Sequence, residues 1–72
     1  MTAQSISIKA SSHIASVLYD PESQELEIAF QDGARYVYSD VPEPVAAGFA
    51  SAPSAGKYFN ARVRDRFETR QA

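Results

Sequence analysis

The hydrophobic period of this chain changes once, at Pro42. Between Gln24 and Phe30, Leu26, Ile28 and Phe30 fall on one face while Glu25, Glu27 and Ala29 fall on the other. A period of two belongs to a strand with one wet side. Beyond Pro42, Val45 and Phe49 are four apart, and Phe59, Val63 and Phe67 recur at the same interval, which is the spacing of one helical face. A run of strands followed by a run of helices defines an α+β domain.

Turn chemistry divides the first part. Residues 5–19 open with Ile6 and Ile8 in alternation and continue as the β-branched and apolar His13–Tyr19 segment, read as one strand. Asp20-Pro21-Glu22-Ser23 suits a type I turn, with Asp first and Pro second. Gln31-Asp32-Gly33 closes a second hairpin, and Arg35–Ser39 is the third strand. Pro42 and Pro44 suit the first turn of a helix that Asp40 can cap and that ends by Pro53. Ser54 can cap a second helix from Gly56 to Phe67. The expected architecture is a three-stranded antiparallel meander followed by two short helices packed on one face, in the order β-β-β-α-α. It forms a single domain over residues 1–72, with 1–5 and 69–72 as flexible ends.

With 72 residues and no cysteine, the chain must draw its stability from its 44% apolar residues, the four tyrosines and four phenylalanines above all. A domain of this size buries roughly 60% of its unfolded surface and is stable by a few kcal/mol. A buried cofactor pocket would take too much of that core, whereas a homodimer could add to it. No segment reaches the ~18 apolar residues of a membrane span, and the start lacks the basic and apolar regions of a secretory signal. The expected location is the cytoplasm.

The residues match a known family. The runs SSHIASVLYDPESQELEIAF, DGARYVYSDVPEPV and SAGKYFNARVRDRF resemble the KTSC domain, over about residues 6–67. The most specific blocks are Tyr36-Val37-Tyr38, Val41-Pro42 and Gly56-Lys57-Tyr58-Phe59-Asn60. Leu18 departs from the pattern, since many members have glycine before the tyrosine of YDP, and His13 stands where a small polar residue is frequent. The family occurs at the C-terminus of some lysyl-tRNA synthetases and as a stand-alone protein of bacteria and phages. The synthetase connection implies an RNA-binding role.

No residue set carries catalysis. His13 is the single histidine, and no carboxylate is placed to orient its ring towards Ser11. Glu25 and Glu27 lie about 7 Å apart on one strand face, with nothing nearby to desolvate an acid/base pair. One histidine and scattered carboxylates make no metal site, and Gly56-Lys57 lacks the remaining residues of a phosphate loop. The expectation is a non-enzymatic binding module without cofactor or metal.

Two surfaces remain. If the second hairpin has three loop residues, Tyr36 and Tyr38 share the core face with Ile28 and Leu26; with two, the register slips and both become an exposed stacking platform. The other surface is basic. Lys9 and Arg35 stand against seven acidic residues up to residue 54, whereas Lys57, Arg62, Arg64, Arg66 and Arg70 stand against Asp65 and Glu68 beyond it. On the expected second helix Arg62 and Arg66 are four apart, and Lys57 and Arg64 seven apart. Lys57, Asn60, Arg62, Arg64 and Arg66 are therefore the candidate binding residues. Their partner is RNA, held weakly and salt-sensitively, or alternatively an acidic protein or a second copy of the chain.

Overall fold

The structure, a computed structural model, describes residues 3–72. Five strands and two helices follow as β1 (Gln4–Ile6), β2 (Ile14–Asp20), β3 (Glu25–Phe30), β4 (Arg35–Tyr38), α1 (Glu43–Ser51), α2 (Ala55–Arg62) and β5 (Thr69–Gln71). The sheet runs in the order β1-β2-β3-β4-β5 with every pair antiparallel.

The second hairpin sets the faces. Phe30 N–H donates to Ala34 O at 2.8 Å, Gly33 takes φ 96°, and Asp32 Oδ1 accepts from Ala34 N–H at 2.9 Å. This is a three-residue loop with glycine in the left-handed position. Leu26 therefore pairs with Tyr38 and Ile28 with Tyr36, so both tyrosines share the helix-covered face. In β2 the register shifts between Ile14 and Ser16. The extra residue there lets Ile14 and Val17 both point into the core.

Phe49 and Ala46 of α1, Phe59 and Ala55 of α2, and Val63 just beyond α2 close over Val17, Tyr19, Leu26, Ile28 and Tyr38. Gly48 permits the two helices to touch, because any Cβ there would fall within the Tyr58 phenol. On the opposite face Val37 is covered without a helix. Arg70 pairs with Glu25 at 3.0 Å and Arg35 with Glu27 at 3.9 Å, and the aliphatic stems of such residues shield apolar surface.

Four expectations are corrected. The single strand over 5–19 is two strands, Gln4–Ile6 and Ile14–Asp20, separated by a reversal that Ser11 Oγ closes by accepting from the N–H groups of His13 and Ile14. The end expected to be flexible at 69–72 contributes β5, held by β4 and by Ala72 N–H on Arg35 O. At the other end, Gln4 and Ser5 are paired in β1, and residues 1–2 lie outside the described residues. Asp40 does not cap α1: Pro42 occupies the N-cap, with no side-chain hydrogen bond, and Asp40 takes φ 58°.

The fourth correction shapes the functional surface. The second helix begins as expected, with Ser54 Oγ accepting from Lys57 N–H, but it ends at Arg62 instead of running to Phe67. Arg64 N–H reaches back to Phe59 O at 2.8 Å, and Asp65 takes φ 61°, a left-handed C-terminal closure that Asp tolerates better than most residues. Arg62, Arg64 and Arg66 therefore do not share one helix. The turn frees the chain to return as β5, whose backbone pairs with β4.

Candidate functional site

Because α2 stops early, the helices leave one end of the core face open. A cleft of about 840 Å³ lies there, between the α2 end and the hairpin loop at residues 31–34. Its apolar wall is aromatic and joined edge to face: His13 to Phe30 at 5.1 Å, Phe30 to Tyr36 at 5.9 Å, Phe30 to Phe59 at 5.4 Å, and Tyr38 to Phe59 at 5.8 Å. His13 is exposed, Phe30 and Tyr36 are half-buried, and Tyr38 and Phe59 are buried. The tyrosines are thus on the core face, yet Tyr36 also borders solvent through the cleft.

Polar groups enter from both rims. Asn60, Arg64 and Asp65 come from the end of α2 and the turn beyond it, and Gln31 and Asp32 from the hairpin loop. Gln31 Nε2 donates to Ser11 O at 3.0 Å, tying that loop to the turn before β2. Tyr38 is only 5% exposed, and its hydroxyl makes no hydrogen bond among the described residues. Burial raises its pKa above the ordinary tyrosine range; Tyr36 and Asp65 raise it further while Arg64 opposes them. All three neighbours line the same cleft, and so does Tyr38 itself.

A second groove of about 480 Å³ adjoins the first. Asn60, Arg64 and Asp65 form the wall common to both, and Arg66 and Phe67 complete the smaller one. Arg66 Nε donates to Ala61 O at 3.1 Å, which ties the turn to the end of α2, and the side chain is otherwise exposed. Arg64 lies 4.0 Å from Asp65, with the two side chains 65% and 92% exposed; an ion pair so solvated restrains neither partner strongly.

Of the five residues singled out in the sequence, Asn60 and Arg64 stand on this wall and Arg66 in the smaller groove beside it. Lys57 borders a different groove, formed with Gly48, Pro53 and Tyr58 on the α1 side, and Arg62 borders neither of the two joined grooves. The cleft aromatics His13 and Phe30 escape a sequence reading, because their meeting depends on the turn at Ser11 and on the strand register. Of the residues weighed for catalysis, Ser11 Oγ accepts backbone N–H groups, Glu25 and Glu27 are paired with arginines on the far face, and His13 lines the cleft. Among the described residues, no three potential metal ligands cluster, and no helix is long and apolar enough to cross a membrane.

An antiparallel sheet covered on one face by two short helices, with an open aromatic cleft at one end, defines a small α+β domain. Comparison with known proteins makes the assignment specific. The chain belongs to the KTSC domain family, whose model matches residues 10–67. It is similar to a crystal structure of a KTSC domain protein from Yersinia pestis, with a TM-score of 0.89, 35% identity and 99% coverage of both chains. An uncharacterised protein of Stutzerimonas stutzeri is 46% identical over 69% of this chain and 70% of its own length. A lysine–tRNA ligase of a Nostoc species is 35% identical over 83% of this chain, which corresponds to only 11% of that protein.

Proposed function

We propose that this domain is a non-catalytic, cytoplasmic binding module for single-stranded nucleic acid, RNA foremost. The observation that carries the reading is the wall of Asn60, Arg64 and Asp65 shared by two joined grooves, with accessible aromatic rings on one side and Arg66 on the other. Guanidinium groups neutralise phosphates, and rings beside them accept unpaired bases, the combination by which single strands are bound. The similarity to a segment of lysine–tRNA ligases supports the same reading, since those proteins are named for a tRNA substrate. Asp32 and Asp65 at the cleft rim limit how many phosphates can approach.

With two or three phosphates engaged, the log–log salt slope should be about −1.5 to −2, with affinity no tighter than roughly micromolar. An NMR titration of the labelled protein with mixed-sequence single-stranded RNA at low salt should move the amides of residues 60–67. Joint Arg64→Glu and Arg66→Glu substitution should abolish those shifts, whereas Lys57→Glu should leave most of the affinity. An unmoved spectrum, together with a stoichiometric complex with an acidic polypeptide, would overturn the reading in favour of a protein-interaction module.

A further inference from the structure

The chain has two well-anchored tyrosine hydroxyls. Tyr19 Oη donates to Val41 O and Tyr58 Oη to Val45 O, each at 2.6 Å. Tyr38 is as buried as Tyr19, at 5% against 3% exposure, yet its hydroxyl has no partner among the described residues and faces the cleft. No buried side-chain oxygen or nitrogen among the described residues is left unpaired, so this hydroxyl keeps some contact with solvent and is open to a partner that enters the cleft. Asn60, exposed at the cleft rim, likewise has an uncommitted side-chain amide among the described residues. Two free hydrogen-bonding groups therefore face a space walled by the rings of His13, Phe30 and Tyr36.

We propose that this cleft is a subsite for one unstacked nucleobase, its ring against Tyr36 and His13 and its polar edge meeting the Tyr38 hydroxyl and the Asn60 amide. The inference rests on the nucleic-acid reading and adds base recognition to phosphate binding. A flat heteroaromatic ring with donors and acceptors on its rim satisfies both groups at once. A phenyl ring would leave both unpaired. Asp32 lies in the cleft alone and, with Asp65, opposes a phosphate there and so favours entry of the neutral ring, whereas in the adjoining groove Arg64 and Arg66 outnumber Asp65. The adjoining groove, where Arg64 and Arg66 stand, accepts the sugar-phosphate. Burial holds the Tyr38 hydroxyl protonated beyond the ordinary tyrosine range, so near neutral pH it can donate to the base as well as accept from it.

The test titrates the full labelled chain with the four nucleoside monophosphates and, as a base-free probe, ribose 5-phosphate. Nucleotides should shift the amides of His13, Gln31, Tyr36 and Asn60, whereas ribose 5-phosphate should shift only those near Arg64 and Arg66. Tyr36→Leu keeps an apolar side chain while removing the stacking face, and should weaken nucleotide binding by about tenfold or more. Tyr38→Phe and Asn60→Ala should each weaken at least one nucleotide severalfold and change the ranking of the four, and Tyr38→Phe, which lies outside the phosphate groove, should leave ribose 5-phosphate binding and the melting temperature unchanged. RNA that binds through Arg64 and Arg66 while an abasic strand binds equally well would overturn the base subsite and leave the phosphate-binding reading intact. Absence of any RNA shift would remove both. Displacement of the nucleotide by N-acetyltyrosinamide at lower concentration would show that the cleft takes an aromatic side chain, and would also overturn the proposal.

Discussion

Gly48→Ala is an ordinarily favourable change, since alanine in a helix interior is better than glycine by about 0.5–1 kcal/mol. Here the sign should reverse. A Cβ at position 48 would lie 2.5 Å from Tyr58 Cζ and 2.9 Å from Cε1, and closer still to the hydroxyl. Tyr58 cannot retreat freely, because its hydroxyl is bonded to Val45 O at 2.6 Å and its ring meets Phe49 edge to face at 4.7 Å. Overpacking costs about 1–3 kcal/mol. Displacing the ring loses a hydrogen bond worth about 0.5–1.5 kcal/mol and an aromatic contact of similar size. These terms overlap, and after the helix-propensity gain the net loss should be about 2–4 kcal/mol, much of what a chain this short possesses. Urea denaturation followed by circular dichroism measures it, with an excluded osmolyte to keep the weakest variants folded. In a Tyr58→Ala background the same substitution should be neutral or stabilising by about 0.5–1 kcal/mol. An equal loss in both backgrounds, or an unchanged midpoint for Gly48→Ala alone, would refute the contact as the reason for this glycine.

The tyrosines of the cleft should separate on truncation: Tyr38→Ala removes a buried ring and should cost about 3 kcal/mol or more, while Tyr36→Ala, half-buried, should cost clearly less. Thermal melts of the two variants test this, and equal losses would contradict the placement of Tyr36 at the open end. At alkaline pH, burial raises the pKa of Tyr19 and Tyr38 in the folded state, with Glu43 and Asp20 adding to the effect at Tyr19. The folded state therefore holds these protons more tightly than the unfolded chain. Their contribution is fully present below the ordinary tyrosine value near 10 and lost as pH rises through the higher folded values. Denaturation midpoints should fall steeply above about pH 10, more so than in the Tyr38→Phe variant, and an ultraviolet titration in which all four tyrosines ionise together at the ordinary value would contradict this.

Much of the fold was legible because local chemistry and register agree. Asp32-Gly33 fits a two- or a three-residue loop, because glycine has positive φ in both; the Phe30 N–H bond to Ala34 O, with positive φ at Gly33 and not at Asp32, decides for three. That one turn decides the partners of Leu26 and Ile28, and hence the face of Tyr36 and Tyr38. Ser54 likewise marked the start of α2. The edge strands were not legible. Ile6 and Ile8 alternate, but the reversal that separates Gln4–Ile6 from Ile14–Asp20 leaves no mark in that pattern, and Thr69–Gln71 carries no apolar residue and is exposed throughout. They are strands because the free edges of β2 and β4 offer backbone donors and acceptors that the returning chain pairs with.

The functional surface divides along the same line. The sequence alone determined the periodic apolar faces, the turn residues and the excess of arginine after residue 54, since each is carried by neighbours along the chain. It could not determine that Arg64 and Arg66 leave the helix, because a stripe at four-residue spacing reads as helix until a backbone closure competes with it. Only the tertiary structure decided that Asp65 turns the chain and lets β5 pair with β4. The same fold brings His13, Phe30, Tyr36 and Asn60, far apart in the chain, around one cleft. Contacts of that range depend on where every intervening turn sends the chain, and no local pattern encodes that sum.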